Sequence, residues 1–195
     1  MDYYLSGTGT DPMENAQNDY REKLIKVDGS VHCFSYGSQP SQARVRVDRS
    51  TIKAPPNAVV FATGANLYKM VPELLDVWAR ILAAVPDSLL MLFPFGPNWS
   101  GWYPKRGFIY HMFQIMQRHG VPAARLRIVD EYPPLNRDDI KEFLKAADIY
   151  LDSFPFCGST SLVEPLEMGV LHPETQFAVY FDDVRVPRAD LIGEE

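Results

Sequence analysis

Apolar and polar positions along this chain fall into two alternating rhythms. Residues 58–62 (AVVFA), 88–93 (SLLMLF), 126–129 and 149–151 are short, nearly unbroken apolar runs, the mark of strands buried on both faces. Between them the spacing becomes helical. Leu74, Leu75, Trp78, Ile81 and Leu82 recur at i, i+3, i+4 and i+7 across residues 71–85, with Pro72 suited to the first turn. A second helix is predicted over residues 107–118, stopped by Gly120 and Pro122. Asn136, Asp138 and Asp139 open a third, running to Ala147. Leu162, Val163, Leu166 and Met168 continue a helical pattern after the last strand. Strands and helices alternating in this way predict an α/β fold with a parallel sheet and right-handed crossovers.

The first third is less regular. Residues 2–6 read as a strand with almost no lead-in, which predicts that the chain is part of a longer one. Asp11 and Pro12 read as a helix start, with a short helix over residues 14–24. Residues 30–36 alternate loosely and suit a strand, and residues 37–56 are polar and proline-bounded, which suits a linker or an extended crossover. The expected organisation is an inter-lobe segment and linker over 1–53, a Rossmann-like lobe over 54–170 and a separate tail over 171–195.

Composition narrows the possibilities. With 46% apolar and 23% charged residues, 195 residues make a globular chain rather than a disordered one. A net charge of −6 without a basic run argues against nucleic acid and against a membrane surface as partners. No apolar run reaches the ~18–20 residues of a membrane span, and the N-terminus carries no secretory signal. Cys33 and Cys157 make neither a metal pattern nor a disulfide framework, so a cytoplasmic location is expected. His32 beside Cys33 has no further ligands spaced nearby and reads as a plain strand histidine.

In a parallel sheet, ligands bind at the carboxyl ends of the strands, where the strand order reverses. Two loops at that edge carry suitable chemistry. One is residues 63–69, with Lys69 as its strong cation; beside a phosphate, Lys69 would neutralise a leaving diphosphate, and otherwise it is a solvated surface lysine. The other is residues 153–161, where a turn-rich stretch leads through Gly158 to the hydroxyls of Ser159, Thr160 and Ser161. Unpaired N–H groups at a helix start, close approach over a glycine and hydroxyl donors suit the diphosphate of a nucleotide. The same residues equally suit an ordinary N-cap on a βα turn. Cys157 reads as a reactive thiol or as a small filler. The aromatic loop with Trp99, Trp102 and Tyr103 suits either a cover for a sugar or base, or a packed connection.

Several spaced blocks resemble the catalytic region of the O-linked N-acetylglucosamine transferase family, closest to bacterial members that carry TPR repeats. They are Val59-Val60-Phe61, Asn66-Leu67-Tyr68-Lys69, Pro72-Glu73, Trp78 to Leu82 and Val85 to Ser88, then Ala147 to Asp152, Gly158 to Ser161 and Gly169. Asp2 to Ser6 and Tyr20 to Leu24 resemble the segment that joins that family's two lobes. The resemblance implies a GT-B architecture, here an incomplete Rossmann-like parallel sheet from the C-terminal lobe. It implies an inverting, metal-independent transfer of a sugar, N-acetylglucosamine in the first instance, from UDP to protein Ser or Thr hydroxyls. No cofactor is implied beyond the UDP-sugar donor. Lys69 matches the lysine that stabilises the diphosphate and is the catalytic candidate. Asn66 stands where many members have glutamine. Ser159, Thr160 and Ser161 match the phosphate-binding triplet, and Glu164 matches the acidic residue that contacts the ribose. Ser159 departs from the usual histidine, and Arg137 and Ile140 stand where the animal enzymes have lysine and histidine near the uridine, which leaves the donor sugar open. The implied partners are a nucleotide sugar, a peptide acceptor, and the N-terminal lobe and TPR repeats that this sequence lacks, so the fragment alone is expected to be inactive.

After Gly169 the pattern changes. Residues 177–195 (FAVYFDDVRVPRADLIGEE) resemble the middle β-domain of acyl-CoA dehydrogenases, without any recognisable flavin-binding or catalytic residue. A junction near residues 170–173 is expected. Alternatively, residues 177–181 supply an edge strand to the sheet. The rival functions are a non-catalytic Rossmann-like nucleotide-binding or interaction module and, more remotely, an acyl-CoA dehydrogenase-related oxidoreductase.

Overall fold

The structure, a computed structural model, describes residues 2–29, 42–93, 104–130, 135–158 and 160–170. The strand expected over 30–36, the aromatic loop and the tail after Val170 lie outside the described residues. The described residues divide into two compact units, one of residues 2–29 and one of residues 42–170.

In the first unit, β1 (Tyr3–Gly7) and β2 (Lys23–Val27) pair in parallel, with Leu5 opposite Ile25. The helix expected over residues 14–24 is not formed. A 3-10 turn at Ala16–Asp19 takes its place, and the chain then enters β2. Asp11, expected to start that helix, accepts hydrogen bonds from the Ser6 hydroxyl and, at 3.0 Å, from the Tyr20 hydroxyl. Residues 23–27 (KLIKV) alternate with a period of two, and pairing with a strand 20 positions earlier overrides the local helical signal.

The second unit is built on a four-stranded parallel sheet in the order β5-β4-β3-β6, from β3 (Val59–Thr63), β4 (Ser88–Leu92), β5 (Leu126–Ile128) and β6 (Ile149–Tyr150). The crossovers are α1 (Pro72–Ala84), α2 (Lys105–Arg118) and α3 (Arg137–Leu144), and β6 is followed by α4 (Val163–Glu167). Every described strand and helix of this unit falls where the apolar pattern put it, within a few residues. The sheet separates two cores, because successive side chains on a strand point to opposite faces. Phe61, Leu90 and Leu92 face Leu74, Leu75 and Trp78 of α1 and Met112, Ile115 and Met116 of α2. Val60, Ala62, Leu89 and Met91 face Phe143 and Leu144 of α3 together with Val47 and Ile52. Residues 42–58 are therefore packed onto the sheet. Arg49 grips Asp148 at 2.6 and 2.7 Å, and Arg127 Nε donates to the Ile52 carbonyl at 2.7 Å. Among the described residues no helix is long and apolar enough to cross a membrane.

The strand order has one consequence for the site. The chain runs outward from β3 through β4 to β5, then returns to lay β6 on the other side of β3. The reversal falls between β3 and β6, and these two strands lead into the two loops singled out above.

Candidate functional site

Both loops are tied to the sheet by β6. Tyr150 is buried, and burial raises its phenol well above its ordinary pKa, so it stays neutral. Its hydroxyl accepts from the Gly64 N–H at 2.9 Å, which anchors the loop leaving β3 to the strand beside it. A Cβ at Gly64 would lie 3.0 Å from the Phe93 carbonyl and 3.2 Å from that hydroxyl, so the close approach requires glycine. Beyond Gly64, Asn66 is extended and its side chain accepts from the Tyr68 N–H at 3.0 Å. This caps the 3-10 turn Leu67–Lys69, with Lys69 in its last position.

The second loop is closed by Asp152, the first residue after the apolar run of β6. Its carboxylate accepts from the Ser153 N–H at 2.7 Å and from the Gly158 N–H at 2.8 and 3.0 Å. The Ser153 hydroxyl donates to the Phe156 carbonyl at 2.5 Å. Sequence reasoning passed over Asp152 as a functional residue. The available signal was an aspartate at a strand end followed by serine, proline and glycine, the pattern of a side chain that bonds its own backbone further on.

Lys69 joins the loops: its Nζ donates to the Cys157 carbonyl at 2.9 Å, across 88 residues of sequence. The cation chosen from the first loop thus lies against the backbone of the second. Cys157 is an exposed free cysteine. Partial burial of its sulfur and the neighbouring Asp152 carboxylate raise the thiol pKa, more than Lys69 lowers it, so it is a protonated thiol at neutral pH.

The helix after the loop is smaller than expected. A 3-10 turn, Thr160–Leu162, leads into a five-residue α4. So short a helix has a weak macrodipole, and an anion here depends on Lys69, backbone N–H groups and hydroxyls more than on helix polarity. Ser159 and the Thr160 side chain lie outside the described residues. Ser161 is exposed beside Gly158, where a Cβ would come within 2.8 Å of Ser161 Oγ and of Leu162 Cγ. Gly158→Ala is accordingly expected to lower the stability of the chain by about 1–3 kcal/mol, as overpacking does, measured as a shift in the urea midpoint. An unchanged midpoint would show that the loop has room to yield.

Glu164 is partly buried and paired. Arg137 Nε donates to its Oε1 at 2.7 Å, and the Arg137 guanidinium also pairs with Glu167 Oε1 at 2.5 Å. Lys141 Nζ reaches Glu167 Oε2 at 2.6 Å. Lys141, and then Arg137, hold the Glu167 carboxyl below the usual range against the effect of its desolvation. The structure therefore brings Lys69, Asn66 and the Asp152–Gly158 loop to one edge, and joins Glu164 to Arg137 on α3. Among the described residues no group of three or more His, Cys, Asp or Glu side chains could hold a metal ion.

Comparison with known proteins places the chain in a family. A family model described as glycosyl transferase family 41 matches residues 25–170. A probable UDP-N-acetylglucosamine–peptide N-acetylglucosaminyltransferase SPINDLY of Petunia hybrida is 32% identical over 173 residues, 87% of this chain and 17% of that protein. The protein of the same description from Solanum lycopersicum is 31% identical over 199 residues, 100% of this chain and 19% of that one. This chain thus spans less than a fifth of the length of either relative. A solved structure of a mutant Thermobaculum terrenum O-GlcNAc transferase matches with a TM-score of 0.61 at 24% identity, over 87% of this chain and 29% of that one. That likeness shows a common fold, the parallel-sheet lobe of a GT-B glycosyltransferase.

Proposed function

The chain belongs to glycosyl transferase family 41, and from that premise we propose that residues 54–170 are the nucleotide-sugar-binding lobe of a protein O-glycosyltransferase, with UDP-N-acetylglucosamine as donor. The observation that supports this most is the contact of Lys69 with the Cys157 carbonyl at the β3–β6 reversal. It puts a cation beside a glycine-containing backbone turn where an α/β sheet receives its ligand. Lys69, Ser161 and the neighbouring triplet hydroxyls bind the diphosphate, Asn66 orients the lysine turn, and Glu164 serves the ribose.

In the reaction a Ser or Thr hydroxyl oxygen of the acceptor forms a bond to the anomeric carbon as the bond from that carbon to the diphosphate oxygen breaks. Attack from the opposite face inverts the centre. Negative charge grows on the departing UDP, and Lys69 neutralises it as a divalent cation does in metal-dependent transferases. The proton of the hydroxyl leaves to a base outside these residues. Acceptor recognition comes from regions present in the longer relatives, so the 195-residue chain is expected to bind UDP without transferring sugar to a peptide.

Titration calorimetry with UDP tests the reading. Saturable one-to-one binding is expected, with uridine much weaker because it lacks the diphosphate. The absence of any heat of binding with UDP at millimolar concentration would sink the assignment. Sugar transfer by the isolated chain would overturn the expectation that the acceptor side lies elsewhere.

A further inference from the structure

The ion-pair network between α3 and α4 carries one step more, resting on the nucleotide reading above. Arg137 is the first residue of α3, which follows β5 and so begins at the same carboxyl edge of the sheet as the two loops. Its guanidinium bridges Glu164 and Glu167, on consecutive turns of α4, and Lys141 one turn later completes the pairing of Glu167. The Glu164 side chain is 12% exposed and that of Arg137 27%. Two carboxylates stand directly after the triplet that is to receive a diphosphate. Unpaired, they would repel it; a partly desolvated field is screened less than a surface one. With Arg137 and Lys141 in place the four charges cancel.

We propose that Arg137 is a positioning residue of the donor site: it neutralises Glu164 and Glu167 and locks α4 to α3, so that the loop before α4 accepts a diphosphate. Arginine suits this role better than lysine, because one planar fork serves two carboxylates at once. Its influence on the phosphates passes through α4, and its effect should therefore depend on the ligand's charge.

Calorimetry with UDP and with uridine on the whole chain separates the possibilities. Arg137→Ala is expected to lower UDP affinity about 10-fold and uridine affinity only about 2- to 3-fold, since both ligands carry the ribose assigned to Glu164 but only UDP carries the charge that the freed carboxylates repel. Adding Glu167→Gln to Arg137→Ala removes one of those carboxylates and is expected to restore about 3-fold of the loss. Arg137→Lys keeps the charge and is expected to retain most of the affinity. Failure of the unmutated chain to bind UDP would remove the nucleotide reading and this proposal with it. Binding by the unmutated chain with unchanged affinity in Arg137→Ala would overturn the role of Arg137 alone. Equal weakening for UDP and uridine, without rescue by Glu167→Gln, would show that Arg137 merely holds the fold.

Discussion

Replacing Lys69 with alanine is expected to weaken UDP binding by about 10- to 100-fold, the worth of one charged hydrogen bond of about 1.5–3 kcal/mol. The lysine has two roles that the substitution removes together. In the proposed site it is the cation for the diphosphate, and through the Cys157 carbonyl it fastens the Leu67–Lys69 turn to the Asp152–Gly158 loop. The second role is minor in energy. The contact is solvent-accessible, and a hydrogen bond of that kind contributes about 1 kcal/mol. Loss of the loop tie alone would weaken uridine and UDP alike, whereas loss of the cation weakens UDP selectively. Parallel calorimetry with both ligands makes the distinction. An unchanged UDP affinity in Lys69→Ala would remove the lysine from the site.

The largest loss of stability from a single polar residue is expected at Asp139. It is fully buried at the third position of α3. Its carboxylate accepts from the Asn136 N–H at 3.0 Å, the Arg44 N–H at 2.6 Å and Arg44 Nε at 2.8 Å, and it pairs with Arg44 Nη2 as well. Asn136 returns the bond by accepting from the Asp139 N–H at 2.8 Å, which completes a capping box. One side chain thus caps a helix and pins residues 42–58 to the second face of the sheet. Breaking a fully buried ion pair costs about 3–5 kcal/mol, but the Arg44 side chain is 44% exposed and stays solvated when its partner is lost. Asp139→Ala is therefore expected to destabilise the chain by about 2–3 kcal/mol, read from urea unfolding. A loss below about 0.5 kcal/mol would show that the Arg44 contact is not kept in solution.

The pH dependence follows with a definite sign. Burial would raise the Asp139 pKa, but the Asn136 N–H and Arg44 outweigh it and hold the carboxyl below its ordinary value. A carboxyl depressed by folding contributes its stability above its unfolded value of about 3.9, and the contribution is lost as pH falls through the folded value. Unmutated protein is expected to lose stability steeply below about pH 4, and Asp139→Ala less steeply. Parallel slopes would assign the acid sensitivity to other carboxylates.

The second unit was legible in sequence because its strands are nearly unbroken apolar runs, interrupted in β5 by Arg127, and each crossover helix carries a one-sided apolar stripe. A stretch such as AVVFA has few alternatives to a buried parallel strand. The first unit was less legible. Residues 14–24 have local features of a helix, and only a partner strand at residues 3–7 makes residues 23–27 a strand. Within the site, Lys69, Asn66 and the loop before Ser161 could be named from residue type and family pattern. Asp152 and Arg137 could not be given their roles, since those consist of what they bond: a backbone N–H six residues on, and two glutamates 27 and 30 residues away.

By itself, then, the sequence determined the alternation of strands and helices, the parallel sheet and the residue types of the proposed diphosphate site, because these follow from local periodicity and side-chain chemistry. Only the tertiary structure decided that β6 returns beside β3, that Lys69 meets Cys157 across 88 residues, and that α4 is a short helix held by Arg137. Those outcomes depend on contacts between distant segments, whose energies no local pattern of residues contains.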